Sequence, residues 1–111
     1  MVFDKVLARD TLYVTLYGEI DQHAAAELRT SFALLLRDPD VVRMEIDCEK
    51  VTLMDSSGIG LLLCWYRALS GRTGSIQLHN VQPNVMRVLR ISGMHQLFAM
   101  MEVDVCTAKT I

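Results

Sequence analysis

The sequence predicts an α/β domain: a central, mixed but mostly parallel sheet of about four to five strands, with helices packed against it. Three observations carry this prediction. Leu12, Val14 and Leu16 alternate with Tyr13, Thr15 and Tyr17, the period of a half-buried strand, and Val42, Met44, Ile46 and Cys48 repeat the pattern with Arg43, Glu45 and Asp47 between them. Between these runs, Leu28, Phe32, Leu35 and Leu36 fall at i, i+4, i+7 and i+8, one face of a helix. Strands and helices that alternate in this way build a parallel sheet with right-handed crossovers.

Each element has its own justification. Val6-Leu7-Ala8 reads as a weaker first strand, joined through the polar pair Arg9-Asp10 to the strand around Leu12, so the two form an antiparallel hairpin at one side of the sheet. After Gly18-Glu19-Ile20 the period changes to helical; Asp21 is the expected N-cap, and Asp38-Pro39-Asp40 stops the helix. Following the strand around Ile46, residues Ile59 to Leu69 form a second helix, closed by Ser70-Gly71-Arg72-Thr73-Gly74. Ser75 to His79 is a short strand. Pro83 suits the first turn of a third helix with Val85, Val88 and Leu89 inward, ended by Ser92-Gly93, with one more turn over Met94 to Phe98. Met100 to Val105 is the last, edge strand.

A chain of 111 residues, 51% of them hydrophobic, suits one domain spanning residues 1–111 with a real core. A net charge of −2 provides no basic field for a nucleic-acid backbone. No apolar run approaches a membrane-spanning length, and the start, "MVFDKVLARD", lacks the basic-then-apolar layout of a signal peptide. A soluble cytoplasmic protein, neither nucleic-acid-binding nor membrane-bound, is expected, as a monomer or at most a weak dimer. Cys48, Cys64 and Cys106 have neither disulfide nor zinc spacing and are expected to be buried, reduced and inert.

The informative stretch is "LMDSSGIG", Leu53 to Gly60. Loops leaving the carboxyl ends of parallel strands emerge at one rim, where ligands bind, and this topology places Asp21 and Ser56 on the same edge. Asp and Ser are preferred helix caps. Capping leaves Gly58 and Gly60 unexplained, since each costs about 1 kcal/mol relative to Ala inside a helix. Close approach of another molecule's backbone, or of a phosphate, is one use for such glycines. A hydrolase nucleophile is disfavoured: the residue two before Ser56 is Met54, so the G-x-S-x-G elbow is missing. His79 lies in a strand and His95 near the far end of the third helix, which leaves only His23 at the correct rim.

A modified hydroxyl fits better. Phosphorylation of Ser56 would add about −1.5 to −2 charges. The helix N-terminus favours such a charge by roughly 0.3–1 kcal/mol, while Asp55 and Asp21 oppose it. The fold should survive, and the surface offered to a partner should change. The second helix adds to this picture. Ile59, Leu62, Leu63, Tyr66 and Leu69 form one apolar face, whereas Leu61, Trp65 and Ala68 form another, either covered by a neighbouring helix or used as a partner surface beside the serine.

"LYGEID", "VTLMDSSGIGLLL" and "VMRVLRISGMHQLF" together resemble the STAS domain family, specifically the bacterial anti-sigma factor antagonists, along nearly the whole chain. The resemblance implies a non-catalytic binding module with no metal or cofactor of its own. Its partner would be an anti-sigma factor that is also a serine kinase and itself binds ATP. The unphosphorylated antagonist captures that kinase and frees the sigma factor; phosphorylation of the first serine, Ser56 rather than Ser57, breaks the complex, and a serine phosphatase resets it. The implied partner-contacting residues are Glu19, Asp21, His23, Asp55, Ser57, Gly58, Ile59, Gly60 and Leu61. Ser57 is expected as the helix cap and Gly58 as the close-approach residue. The alternative is a STAS scaffold component of a stress-signalling or transporter complex whose serine is unused. Many antagonists continue into a further helix, for which the closing "DVCTAKTI" is too short.

Overall fold

The computed structural model describes residues 3–72, 76–94 and 101–105. Eight elements follow one another: β1 (Phe3–Ala8), β2 (Thr11–Ile20), α1 (Gln22–Arg37), β3 (Arg43–Met54), α2 (Ser56–Leu69), β4 (Ile76–Val81), α3 (Pro83–Ile91) and β5 (Met101–Val105). The strands lie side by side in chain order, β1-β2-β3-β4-β5. The pair β1–β2 is an antiparallel hairpin and every other pair is parallel. The expected mixed sheet is therefore present, with five strands. Ser75, the turn expected over 95–98, His95, and the tail from Cys106 onward lie outside the described residues. Among the described residues no helix is long and apolar enough to cross a membrane.

One face of the sheet makes the core. Leu12, Val14 and Leu16 of β2, Met44, Ile46 and Cys48 of β3, and Ile76 and Leu78 of β4 are buried at alternate positions, as the period of two requires. All three helices cover this face, because their buried side chains join the same cluster: Leu28, Phe32 and Leu36 from α1, Leu61, Leu62 and Trp65 from α2, and Val85, Met86 and Leu89 from α3. Met86 is buried where Val88 had been expected, and Val88 is half-buried. The opposite face is polar and self-paired. Tyr17 donates to Asp4 at 2.6 Å, which raises the phenol's pKa, and His79 Nε2 meets Glu45 Oε1 at 2.6 Å.

An aromatic column ties the hairpin to the helices. Phe32 stacks on Trp65 with ring centroids 4.9 Å apart and meets Phe3 edge-on at 5.3 Å. Lys5 Nζ lies 5.5 Å from the centre of the Phe3 ring and 5.6 Å from that of Phe32, closing the column with a cation. At the other end of α1, Arg72 donates to the carbonyls of Leu36 at 2.7 Å and Val41 at 2.6 Å. The Leu36 carbonyl, in the last turn of α1, lacks an intrahelical partner, and a cation suits a helix C-terminus.

Several elements extend beyond their expected bounds: β1 begins at Phe3, β4 runs on to Val81, and β3 and α2 are longer for reasons visible in the structure. β3 continues past Cys48 to Met54 because its register against β2 shifts twice, between Thr15 and Tyr17 and between Gly18 and Glu19. These irregularities break the alternation from which the sequence reading drew the strand. Gly18 stands at the second shift with φ +74, a conformation that favours glycine. α2 begins at Ser56 rather than Ile59, because Asp55 caps it.

The described cysteines differ from one another. Cys48 is buried and burial, with the nearby Asp47 carboxylate, pushes its thiol up to about 12. Cys64 is exposed, which corrects the expectation that it too is buried. In a Cys64→Ser, Cys106→Ser variant, Cys48 should stay unreactive towards a thiol reagent at pH 8 and react at once in denaturant. Fast labelling of the native variant would contradict this burial.

Candidate functional site

β2 and β3 are neighbouring parallel strands and end together, with Ile20 opposite Met54 in the register. The two loops leaving them start α1 and α2 at one rim, as the topology predicted. Asp21 Oδ1 accepts from the Ala24 N–H at 2.9 Å, and Asp55 Oδ1 accepts from the Ser57 N–H at 2.8 Å. Each cap satisfies a backbone donor that would otherwise lack a partner, typically a contribution of about 1 kcal/mol. The Asp55 N–H also reaches the Ile20 carbonyl at 3.4 Å, linking the loops directly. A cleft of about 540 Å³ opens between the helix starts, lined by Asp21, Gln22, His23, Ala26 and Asp55.

The capping assignment drawn from the sequence needs one correction. Asp55, not Ser57, is the N-cap of α2, and Ser57 is a half-buried residue whose N–H is the capped group. Ser56 is the first helical residue and is exposed. Among the described residues its hydroxyl has no hydrogen-bond partner, so the oxygen is accessible from solvent.

Around Ser56 the expected contact residues fall into two groups. Glu19, Asp21, His23 and Asp55 are exposed at or beside the rim, and Gly60 and Ile59 are half-buried. Leu61, by contrast, is 1% exposed, and Trp65 is equally buried. The second apolar face of α2 is thus covered by α1, and Leu61 presents no side chain to a partner; the partner-surface reading of this face is overturned. Gly58 is buried as well. A Cβ there would lie 2.5 Å from Met54 Cγ and 3.2 Å from the Ile20 carbonyl oxygen, so the close approach at Gly58 is made by the chain itself.

Two features of the site went unread in the sequence. Arg29 of α1 reaches across to α2, its Nη2 3.9 Å from where a Cβ on Gly60 would stand. Its signal was present: Arg29 directly follows the inward-facing Leu28, and Gly60 leaves the facing surface bare. The start of α3 is also fixed to the irregular part of β3, Gln82 donating to the Glu49 carbonyl and Asn84 to the Thr52 carbonyl, each at 2.7 Å.

Chemically the rim is suited to presenting a hydroxyl rather than activating it. No described hydrogen bond joins a histidine to Ser56 or Ser57, and His79 is engaged with Glu45 on the opposite face of the sheet. Among the described residues there is no group of three or more His, Cys, Asp or Glu that could hold a metal ion.

Comparison with known proteins agrees with this geometry. A family model described as "Mlab, STAS domain" matches residues 3–102. The anti-sigma F factor antagonist of Lysinibacillus sphaericus is 31% identical over 90 residues, covering 81% of this chain and 77% of that one. The anti-sigma-B factor antagonist of Bacillus subtilis is 28% identical, covering 78% of this chain and 77% of its own. Among solved structures, the anti-sigma factor antagonist SpoIIAA in its unphosphorylated form superposes with a TM-score of 0.78 and 30% identity, covering 97% of this chain and 90% of that one. The Bacillus cell fate determinant SpoIIAA in its phosphorylated form gives 0.72 and 28%, covering 97% and 94%. With the sheet order, the paired capped loops and these matches in agreement, the chain belongs to the STAS domain family, among the bacterial anti-sigma factor antagonists.

Proposed function

We propose that this chain is an anti-sigma factor antagonist operated by phosphorylation of Ser56. It is a regulatory module and not an enzyme. In the unphosphorylated form it binds an anti-sigma factor that doubles as a serine kinase, through the rim formed by Glu19, Asp21, His23, Asp55, Ser56 and the first turn of α2, and the sigma factor is released. The kinase transfers the γ-phosphoryl group of its ATP to Ser56 Oγ; ADP leaves, the hydroxyl proton passes to the kinase, and the complex parts. A serine phosphatase restores the hydroxyl.

The observation that carries this reading is the exposed Ser56 hydroxyl at the first position of a capped helix, in a chain that matches SpoIIAA in both unphosphorylated and phosphorylated forms. A new phosphate there brings about −1.5 to −2 charges beside Asp55 and Asp21, so a partner fitted to the neutral serine meets an anionic surface instead.

Incubation with the cognate kinase and ATP is expected to add one phosphate, mapped to Ser56 by mass spectrometry. Ser56→Ala should fold, bind the kinase and remain unmodified, while Ser56→Asp should bind at least tenfold more weakly. A phosphate on another residue, or equal affinity for all three forms, would overturn the proposal. Binding to a scaffold protein with Ser56 untouched would favour the scaffold alternative.

A further inference from the structure

We propose that Arg29 captures the phosphate of phosphorylated Ser56 within the same chain, so that the modified state is a closed arrangement of α1 over the first turn of α2. The inference rests on Ser56 being the acceptor and adds the residue that receives the charge.

The geometry begins with the helix itself. Ser56 and Gly60 are four residues apart on α2 and share one face, with Cβ positions about 5–6 Å apart. The Arg29 guanidinium lies beside Gly60, Nη2 being 3.9 Å from the Gly60 Cβ position, and the side chain borders the groove that continues along α2 to Cys64. The guanidinium is therefore within about 10 Å of the Ser56 Cβ. A phosphoserine reaches further than a serine, and the exposed Arg29 side chain closes the rest of the gap by a change of rotamer. At Gly60 itself no side chain stands in the way of the guanidinium. On α1, the residue one turn nearer the rim is Ala26, which lines the cleft and adds only a methyl group.

Charge directs the phosphate the same way. Asp55 already accepts the Ser57 N–H, so this amide is engaged before any phosphate arrives. Asp55 and Asp21 repel a dianion at the rim, His23 lines the same cleft, and exposed Glu27 lies on the adjoining surface of α1. Arg29 is exposed, and among the described residues it forms no ion pair. A guanidinium offers two parallel N–H donors to phosphate oxygens, the geometry of a bidentate charge-assisted pair. The phosphate therefore leans along α2, away from Asp55, and covers Gly60. In that position it closes the surface that the unmodified rim leaves open, and binding is lost by occlusion as well as by charge.

The test uses the full chain with phosphoserine installed at position 56 by codon expansion, followed by phosphorus NMR over a pH titration. The second ionisation of the phosphate is expected about half a unit lower in the parent than in Arg29→Ala, with Arg29→Lys between them. Gly60→Leu, which keeps Arg29 but fills the path, should move the titration as Arg29→Ala does. Identical titrations in the parent and in either folded variant would overturn the capture. Kinase mapping separates the two claims: phosphate found on another residue removes both, whereas phosphate on Ser56 with an unchanged titration removes only the role of Arg29.

Discussion

Trp65→Ala should lower the stability of the domain by about 3–5 kcal/mol, the cost of emptying a large aromatic site in a packed core. Trp65 is 1% exposed and stacks on Phe32, which in turn meets Phe3. The indole therefore joins α2 to α1 and, through Phe32, to the edge strand β1. Its removal leaves a void between two helices whose starting points are fixed by the rim, so neither helix is free to close the gap. Against a total stability of about 5–15 kcal/mol for a typical domain, that is a large fraction. Urea denaturation followed by circular dichroism measures it, with the slope unchanged and the midpoint moved down. Trp65→Phe keeps most of the stack and should lose far less. A loss under about 1 kcal/mol for Trp65→Ala would mean that α2 does not depend on this column.

The two glycines of α2 should respond to alanine with opposite signs. At Gly58 the new Cβ would stand 2.5 Å from Met54 Cγ and 3.2 Å from both Ile20 Cγ2 and the Ile20 carbonyl oxygen. Met54 is buried and a carbonyl in a strand does not move aside, so Gly58→Ala should destabilise by about 1–3 kcal/mol despite a better helix former. At Gly60 the nearest atom is Arg29 Nη2 at 3.9 Å, an ordinary contact. Gly60→Ala should therefore stabilise by roughly 0.5–1 kcal/mol through helix propensity alone. Thermal melts of the two variants decide the matter. Equal shifts in the same direction would contradict the packing at Gly58.

These glycines show where the sequence was informative and where it stopped. Their cost to a helix was visible, and so was the need for a compensating reason. The reason itself was tertiary: Ile20 is thirty-eight positions before Gly58, and only the parallel pairing of β2 and β3 brings the two together. The cap of α2 was obscured for a local reason, because Asp55, Ser56 and Ser57 are three successive residues of types that cap helices. Asp21, with no rival beside it, was identified correctly. The double apolar surface of α2 is what a helix held between a sheet and another helix must have, and the pattern alone does not say which body covers it. The rim, in contrast, followed from strand order and needed no side-chain detail.

The register shifts between β2 and β3 have a consequence for how this domain tolerates changes in length. A strand turns each residue to the opposite face, so the parity of the count from Ile46 to Asp55 decides whether Met54 enters the core and how the following loop departs. The two shifts act as a phase correction between the regular part of the sheet and the loop that leads to Ser56. Removing or adding one residue between Glu49 and Leu53 would leave the sheet intact upstream yet deliver Ser56 rotated to the wrong side. Within one strand, then, a short stretch that buries Val51 and holds the start of α3 also sets the aim of the hydroxyl.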